Sequence, residues 1–253
     1  MKQERGRKRE RGFTLIELLT AMAIFLIVCG AAFTLLNASQ QQYRTESQVL
    51  NSFQEARLGL DQIVRDVNDA GYPPPTFFSS AAPANSAISP FAWSPGYPTP
   101  TKPSGSTCAI GTGGVGGCTT PGDFDLIIET NPNPQDSPTV QWIRYQLQGT
   151  ILMRGIAPKV WGDDPATDTA ATLVPFVQNV ANSPAQPIFS YTCDTATVEQ
   201  VLPCSSAGAH NSPANIRDVI ITLIVAAPQQ DATTGQQRLV VLNGRGRRIN
   251  PNQ

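Results

Sequence analysis

The spacing of apolar residues divides the N-terminal part of the chain into two helical segments. Residues 13–36 form a run of 24 positions in which Thr14, Glu17 and Thr20 are the polar residues of the first half, and no proline interrupts it. About 20 consecutive apolar residues are enough for a helix to span a bilayer. The run therefore predicts a membrane-spanning helix with a carboxylate close to its beginning.

From residue 49 the apolar positions recur at alternating steps of four and three, which marks one face of a continuing helix. This seam consists of Val49, Phe53, Ala56, Leu60, Ile63, Val67 and Ala70. Opposite charges alternate at i, i+4 spacing on another face, as is typical of a solvated surface: Arg57, Asp61, Arg65 and Asp69. We expect the seam to pack on a globular domain, with a separate coiled coil as the alternative, and the helix to end near Gly71.

Residues 71–122 predict a long irregular connection. They are rich in Pro, Ser, Gly and Ala, with aromatic residues at Phe77, Phe78, Phe91, Trp93 and Tyr97. Connections of this length are usually functional or mobile. The aromatic residues argue against disorder, so we expect this segment to cover the domain surface or to face a neighbouring subunit.

Short runs rich in apolar and β-branched residues then predict strands at 124–129, 140–147, 150–154, 188–191, 216–227 and 238–242. Gln148-Gly149 predicts a hairpin turn that leaves Ile143, Tyr145 and Leu147 on one face, and a polar turn at 231–235 predicts a final hairpin. Residues 173–180 fit either a helical turn or a strand. A long helix followed by antiparallel strands indicates an α+β fold with long irregular loops.

The first twelve residues form a basic leader. They carry six Lys or Arg side chains and two Glu, which gives a net charge of +4. Because the whole chain has a net charge of −1, the residues after the leader have a net charge of −5. The positive-inside tendency places the leader in the cytoplasm and the rest of the chain outside it. A mildly acidic exported part argues against general nucleic-acid binding. A secretory signal peptide would have a shorter apolar core and a small-residue cleavage site, whereas polar Asn37 follows here.

A carboxylate at the centre of a membrane helix costs roughly 2.5–3.5 kcal/mol, so Glu17 needs a reason to be there. The residues Gly12-Phe13-Thr14-Leu15-Ile16-Glu17 closely resemble the type IV prepilin cleavage motif. The resemblance implies that a membrane peptidase cuts after Gly12 and methylates the new N-terminus at Phe13. It also implies that Glu17 pairs with the N-terminal ammonium of a neighbouring subunit during assembly.

The resemblance also implies how the chain is organised. Residues 1–12 would be a leader that is removed, 13–36 the transmembrane half of the N-terminal helix and 37–71 its exported amphipathic half. Residues 72–253 would form a globular β domain that carries disulfides. The expected fold is pilin-like, with the long helix packed on an antiparallel β domain.

Two downstream segments narrow the resemblance. ARLGLDQIVRDVNDAGY, at 56–72, is similar to the helix end of PilW-like minor pilins, and IRYQLQGTILMRG, at 143–155, is similar to a hairpin shared by these pilins and GspJ-like type II secretion pseudopilins. FSYTCD and RLVVLNGRGRR fit the same group. The resemblance implies a structural subunit of the inner membrane and then of a pilus tip or pseudopilus.

The partners implied are a prepilin peptidase, other minor pilins with the major pilin or pseudopilins, an inner-membrane assembly platform, and membrane lipid before assembly. Neither a cofactor nor nucleic acid is expected.

Export to an oxidising compartment would favour disulfides among the five cysteines. Cys29 lies inside the apolar helix and is expected to be a small packing residue. The other four, Cys108, Cys118, Cys193 and Cys204, allow three connectivities. We favour the local pairs 108–118 and 193–204, because each brackets a Gly- or Ser-rich loop. A zinc site is the alternative, but no CxxC or HxxxH spacing supports it, so no metal is expected.

The remaining motifs favour structural interpretations. Residues 111–116 match GxGxxG but lie between two cysteines rather than before a helix, so a disulfide loop is expected. His210 is the single histidine, and no neighbouring residue nominates it as a general base. Without a nucleophile, base or metal constellation, the sequence predicts no enzymatic activity, and an anchored exported enzyme or binding domain is the least favoured reading.

Two charged clusters remain. Asp163, Asp164 and Asp168 would suit a weak calcium site, but solvated turn carboxylates beside Pro165 are the favoured interpretation. Three arginines near the C-terminus are expected to form a solvated tail: Arg245, Arg247 and Arg248.

Overall fold

The structure is a computed structural model that describes residues 12–73, 87–97, 110, 119–131, 139–194, 201–204, 212–230 and 235–248. The chain divides into two compact units, residues 1–48 and residues 49–253. Helix α1 (Leu15–Asn68) contributes residues to both. We call residues 49–253 the globular unit.

Nine strands and a short helix follow α1 among the described residues. The strands are β1 (Phe91–Ala92), β2 (Asp125–Thr130), β3 (Gln141–Gln148), β4 (Ile151–Pro158), β5 (Val174–Val177), β6 (Phe189–Asp194), β7 (Val201–Pro203), β8 (Ile216–Gln230) and β9 (Gln237–Arg247); α2 (Pro165–Ala170) precedes β5. A 3-10 helix at Pro213–Asn215 leads into β8. A long helix followed by antiparallel strands confirms the α+β prediction.

The strands form two antiparallel sheets. Sheet one has the order β1-β2-β3-β4-β5, and sheet two has the order β7-β6-β8-β9. Gln148 pairs with Ile151 across the predicted hairpin turn. Gly149 takes a φ of +61° there, a conformation that glycine adopts without a steric penalty. The ambiguous segment at 173–180 contains strand β5.

The predicted seam of α1 is buried in the core of the globular unit. Ala56, Leu60, Ile63, Val67 and Ala70 all join the main apolar cluster, together with side chains of both sheets, while Val49 and Phe53 are half-buried. The four charged residues of the predicted solvated face are exposed. The seam therefore packs on the β domain, as predicted, and α1 ends at Asn68 with a turn through Gly71 (φ +81°).

Two glycines of β9 allow α1 to approach the sheet closely. A Cβ placed on Gly246 would lie 2.5 Å from Val67 Cγ1, and one on Gly244 would lie 2.8 Å from Leu60 Cδ1. Distances this short are not tolerated between carbon atoms. The inner face of β9 therefore serves as a platform for the seam because it lacks side chains at these two positions.

A second apolar cluster covers the other face of sheet one. It contains Ala92, Trp93, Tyr97, Ile127 and Trp142, and the rings of Trp93 and Tyr97 meet edge to face at 4.6 Å between centroids. The sequence predicted Ile143, Tyr145 and Leu147 on one face of the β3–β4 hairpin, and these three share the main cluster. The predicted irregular connection at 71–122 needs correction at residues 91–92, which form β1, because this part of the chain covers the second face of sheet one.

A carboxylate that the sequence did not single out lies in the interface between α1 and sheet one. Asp66 Oδ2 accepts hydrogen bonds from Tyr145 Oη (2.6 Å) and Arg154 Nη2 (2.9 Å), and Oδ1 accepts one from Gln62 Nε2 (2.7 Å). Burial, with the Asp66 carboxylate adding to it, raises the pKa of the Tyr145 hydroxyl, so Tyr145 remains the donor. Asp66 thus links the helix to β3 and β4.

We expect Asp66→Ala to lower the free energy of unfolding by about 2–3 kcal/mol, because Tyr145 and Arg154 lose a charged acceptor in a buried site. Denaturant unfolding of the full chain in detergent, followed by tryptophan fluorescence, measures this loss. Asp61→Ala is the matched control, since Asp61 lies on the exposed face of the same helix and should change stability by no more than about 0.5 kcal/mol. Equal losses in the two variants would contradict the assignment.

Candidate processing and assembly site

The segment before α1 is exposed and non-helical. Residues 12–14 precede the first helical residue, Leu15, and the side chain of Phe13 is 89% exposed. A Cβ placed on Gly12 would meet no atom within 4 Å. The Gly12–Phe13 peptide bond is therefore accessible, and packing within the described chain does not require glycine at position 12.

Glu17 and Thr14 close a reciprocal cap on the first turn of α1. The Thr14 backbone N–H and Thr14 Oγ1 both donate to Glu17 Oε2 at 3.0 Å, and the Glu17 backbone N–H donates to Thr14 Oγ1 at 3.4 Å. This is the capping-box arrangement, in which an N-cap Ser or Thr and a Glu three residues later satisfy each other's backbone donors. A negative charge here is also favoured by the helix dipole.

The cap leaves part of the carboxylate available. Both hydrogen bonds from Thr14 go to Oε2, and Glu17 Oε1 accepts none from the residues that the structure describes. Thr14 had no predicted role. The signal was present in the Thr-x-x-Glu spacing directly before an apolar run, which is typical of a capping box.

The large apolar residues of α1 that follow Glu17 are not covered by any other part of the chain that the structure describes. From Leu18 to Leu36 the large apolar side chains are each more than half exposed, as Leu19 (53%) and Ile27 (71%) illustrate. By length and composition α1 qualifies as a membrane-crossing helix among the described residues. Thr20 and Thr34 donate their hydroxyls to backbone carbonyls of Glu17 and Ala31, at 3.0 and 2.8 Å, which satisfies these groups without water.

One of the two predicted disulfides lies in the described part of the chain. Cys193, on β6, is bonded to Cys204, which follows β7. The pair fastens the ends of these two neighbouring strands. Cys108 and Cys118 lie outside the described residues, as do His210 and the GxGxxG segment. Cys29 is a free thiol within α1.

The acidic cluster is built into the fold more firmly than predicted. Asp164 caps α2, with Oδ1 accepting from the Ala166 backbone N–H (2.8 Å), while Oδ2 accepts from Ser94 Oγ (2.8 Å). Asp163 is exposed, and Asp168 is half-buried in α2. The prediction of solvated turn carboxylates is therefore wrong for Asp164. Among the described residues no group of three or more potential ligands is arranged to hold a metal ion.

The C-terminal arginines also differ from the prediction of a solvated tail. Arg245 and Arg247 belong to β9, and Arg248 is buried, donating to the carbonyl of Ala214 (2.9 Å) and to Asp194 Oδ2 (2.8 Å). They are parts of sheet two and its border, because β9 extends five residues beyond the predicted strand.

Comparison with known protein families gives a match that falls on this N-terminal site. Residues 7–33 match the family described as the prokaryotic N-terminal methylation motif. No curated protein and no solved structure matches the chain. The matched segment contains the Gly12–Phe13 junction, the Thr14–Glu17 cap and most of the exposed apolar run. This match and the long helix followed by antiparallel sheets are consistent with a type IV pilin-like, prepilin-type protein.

Proposed function

We propose that this chain is a minor subunit of a type IV pilus that helps to initiate pilus assembly or caps the tip. The observation that carries the proposal is the exposed Gly12–Phe13 junction. It lies immediately before a helix that has Glu17 in its first turn and continues as an exposed apolar surface. The methylation motif covers the same residues.

In this proposal a prepilin peptidase cuts after Gly12, removes residues 1–12 and methylates Phe13. Packing of the chain itself leaves room for a larger residue at position 12, so the need for glycine would arise in the peptidase. Residues 13–36 would then cross the inner membrane, with the N-terminus in the cytoplasm. Residues 37–71 would form the exported half of the helix, and residues 72–253 the exported domain.

Glu17 would serve two partners in succession. Within the isolated chain its Oε2 atom caps the helix through Thr14. The open Oε1 atom would accept the methylated ammonium of Phe13 from a neighbouring subunit, which gives the carboxylate a cationic partner in hydrocarbon. The exposed apolar surface of α1 would exchange lipid for neighbouring helices at the same time.

Several features suit a minor subunit better than the bulk of a fibre. The chain is large, at 253 residues, and rich in proline and glycine, and its globular unit carries two sheets and a disulfide. Its partners would be the peptidase, the other minor pilins with the major pilin, and an inner-membrane assembly platform. The role is structural rather than enzymatic.

Mass spectrometry of the processed chain should find an N-methylated Phe13 as the first residue. The same chain isolated from cells lacking the prepilin peptidase should begin at Met1 and carry no methyl group. A chain that begins at Met1 in wild-type cells, or after Leu36, would reject the proposed processing.

A pseudopilin of a type II secretion system is the second candidate. The hairpin of β3 and β4 supports this candidate as much as the first, because its sequence is similar to a hairpin shared by both groups and it forms as expected. Co-purification from cross-linked membranes separates the two functions. Recovery of the pilus proteins supports the pilin, whereas recovery of secretion pseudopilins supports the alternative.

A further inference from the structure

Strand β9 lies at one edge of sheet two. Among the described strands it pairs with β8 alone, in the sheet order β7-β6-β8-β9. Arg248 donates its backbone N–H to the carbonyl of Arg217 (3.2 Å), and Asp218 pairs with Arg247 in the ladder. In an antiparallel ladder the backbone N–H and C=O groups of successive residues point alternately toward the partner strand and away from it. The backbone groups of the even-numbered residues of β9 therefore bond to β8, and those of the odd-numbered residues point away from the sheet.

The outward backbone groups form a row that the described chain leaves unpaired. The backbone N–H groups of residues 239, 241, 243 and 245 make no hydrogen bond with any described residue, whereas the N–H of Arg247 is satisfied by Asn68 Oδ1 (2.9 Å). An edge of this kind is a ready template for another strand. Asn68 closes the edge at one end, so the open length lies between residues 239 and 245.

The side chains beside this row are suited to contact rather than to protection. Leu239 is 58% exposed and Val241 is 53% exposed, and both lie on the outer face with Asn243. Natural edge strands are usually blunted by lysine, proline or a bulge. Residues 239–245 contain neither lysine nor proline. The register shift between β8 and β9 lies outside this range, between Ala226 and Gln230 of β8.

Positive charge is concentrated at one end of the row. Four arginines (Arg217, Arg245, Arg247, Arg248) lie near two aspartates, Asp194 and Asp218. Arg245 pairs with Asp218 at 2.8 Å. Burial alone would raise the pKa of Asp218, but hydrogen bonds from Arg245 and Thr192 hold it below its ordinary value, so this aspartate stays charged. Even with both carboxylates ionised, the cluster keeps an excess of positive charge.

We propose that the edge of β9 receives an extended segment of another protein subunit, which adds a strand to sheet two. The segment would place apolar side chains beside Leu239 and Val241 and a carboxylate beside Arg245 and Arg247, as charge complementarity requires. Strand addition takes its affinity from main-chain hydrogen bonds and its specificity from alternate side chains. β9 itself contains no Asp or Glu, so a second copy pairing through the same strand would not supply the carboxylate.

The proposal goes beyond the proposed function, since it needs only a folded globular unit and not assembly through α1. A photo-activated benzophenone amino acid placed at Asn243 of the full chain, in living cells, tests it. We expect cross-links to one protein, and peptide mapping should locate them in a segment with alternating apolar residues and at least one Asp or Glu.

Two pairs of variants test the geometry. Val241→Pro removes an outward N–H without touching the ladder to β8 and should lower the cross-link yield about fivefold, whereas Val241→Thr keeps the N–H and should retain the yield. Arg247→Glu should lower the yield about fivefold by reversing the charge. Arg238→Glu, a charge reversal outside the outward row, should leave it unchanged. Protease resistance of each variant verifies folding.

Cross-links only to a second copy, only to nucleic acid, or to no macromolecule would overturn the proposal. A cross-link that Val241→Pro leaves at full yield would overturn it as well. The N-terminal residue is determined by mass spectrometry on the same samples. Loss of processing with an intact cross-link would reject the proposed function alone, and the opposite pattern would reject strand addition alone.

Discussion

Lys159→Met is expected to lower the free energy of unfolding of the globular unit by about 3–5 kcal/mol. Lys159 Nζ lies 2.5 Å from Glu129 Oε1, and both side chains are fully buried. Without the ammonium, the Glu129 carboxylate remains in a buried site where, among the described residues, the backbone N–H of Ile88 and the hydroxyl of Tyr97 are its remaining donors. Since domains are stable by only about 5–15 kcal/mol, the loss is a large fraction of the total.

A double-mutant cycle tests whether the loss comes from the orphaned carboxylate. Glu129→Gln combined with Lys159→Met removes both charges and keeps groups that can hydrogen-bond to Ile88 and Tyr97. We expect the double variant to recover a substantial part of the stability that Lys159→Met loses. Arg57→Met serves as the exposed control. Denaturant unfolding of the full chain in detergent, followed by near-UV circular dichroism, gives the free energies of unfolding of the wild type, both single variants, the double variant and Arg57→Met.

A Lys159→Met variant as stable as Arg57→Met would show that the pair is not buried in the protein. Strictly additive losses in the double variant would show that the carboxylate is not left uncompensated. The outcome also concerns the segment at 87–97, because Glu129 holds it at two points, Ile88 and Tyr97. Losing Lys159 should therefore loosen the cover of the second apolar cluster before it affects the main core.

The parts of the fold that were predicted are those in which one periodicity governs a long stretch. The seam of α1 repeats every three or four residues, and its central members are buried as expected. Strands β2, β3, β4, β6 and β8 follow apolar runs bounded by turn residues, and a glycine at the β3–β4 turn identified that hairpin. Local sequence was sufficient here because each pattern requires only that one face be buried.

The parts that were not predicted depend on contacts between distant residues. Asp66, Glu129 and Lys159 are charged, and charged residues are almost never fully buried unless they are paired. Their partners lie far along the chain, as the 88 positions between Asp66 and Arg154 illustrate. Strand β1 has two residues and no pattern of its own. It forms because its backbone pairs with β2 and because Ala92 packs in the same cluster as Trp142.

The candidate site was more accessible to sequence reasoning than the fold, because its elements are adjacent in the chain. Gly12, Phe13 and Glu17 lie within six positions, and their relation does not depend on tertiary packing. The Thr14–Glu17 cap is equally local and was visible as a Thr-x-x-Glu spacing. What the structure adds is that Glu17 already has an internal partner, Thr14, so a capping role stands beside the proposed pairing role.

Substitutions at Glu17 should separate these two roles. Glu17→Ala removes both the cap and the charge, while Glu17→Gln keeps a capping-box side chain and removes only the charge. If Glu17 pairs with the ammonium of Phe13 in a neighbouring subunit, both variants leave that ammonium in hydrocarbon without a partner. An uncompensated charge there costs roughly 2.5–3.5 kcal/mol, so incorporation into filaments should fall on the order of 100-fold in both.

Immunoblots that compare the amount of the chain in sheared filaments with the amount in membrane fractions measure incorporation. Mass spectrometry establishes that Phe13 is the N-terminal residue and is methylated. Insertion into the membrane should be unchanged in both variants, because removing a carboxylate makes the helix more apolar. Glu46→Gln, an exposed position of α1 beyond the apolar run, is the matched control and should be incorporated normally. If Glu17→Gln is incorporated like the wild type while Glu17→Ala is not, the carboxylate acts through the Thr14 cap, and the pairing with a neighbouring ammonium is rejected.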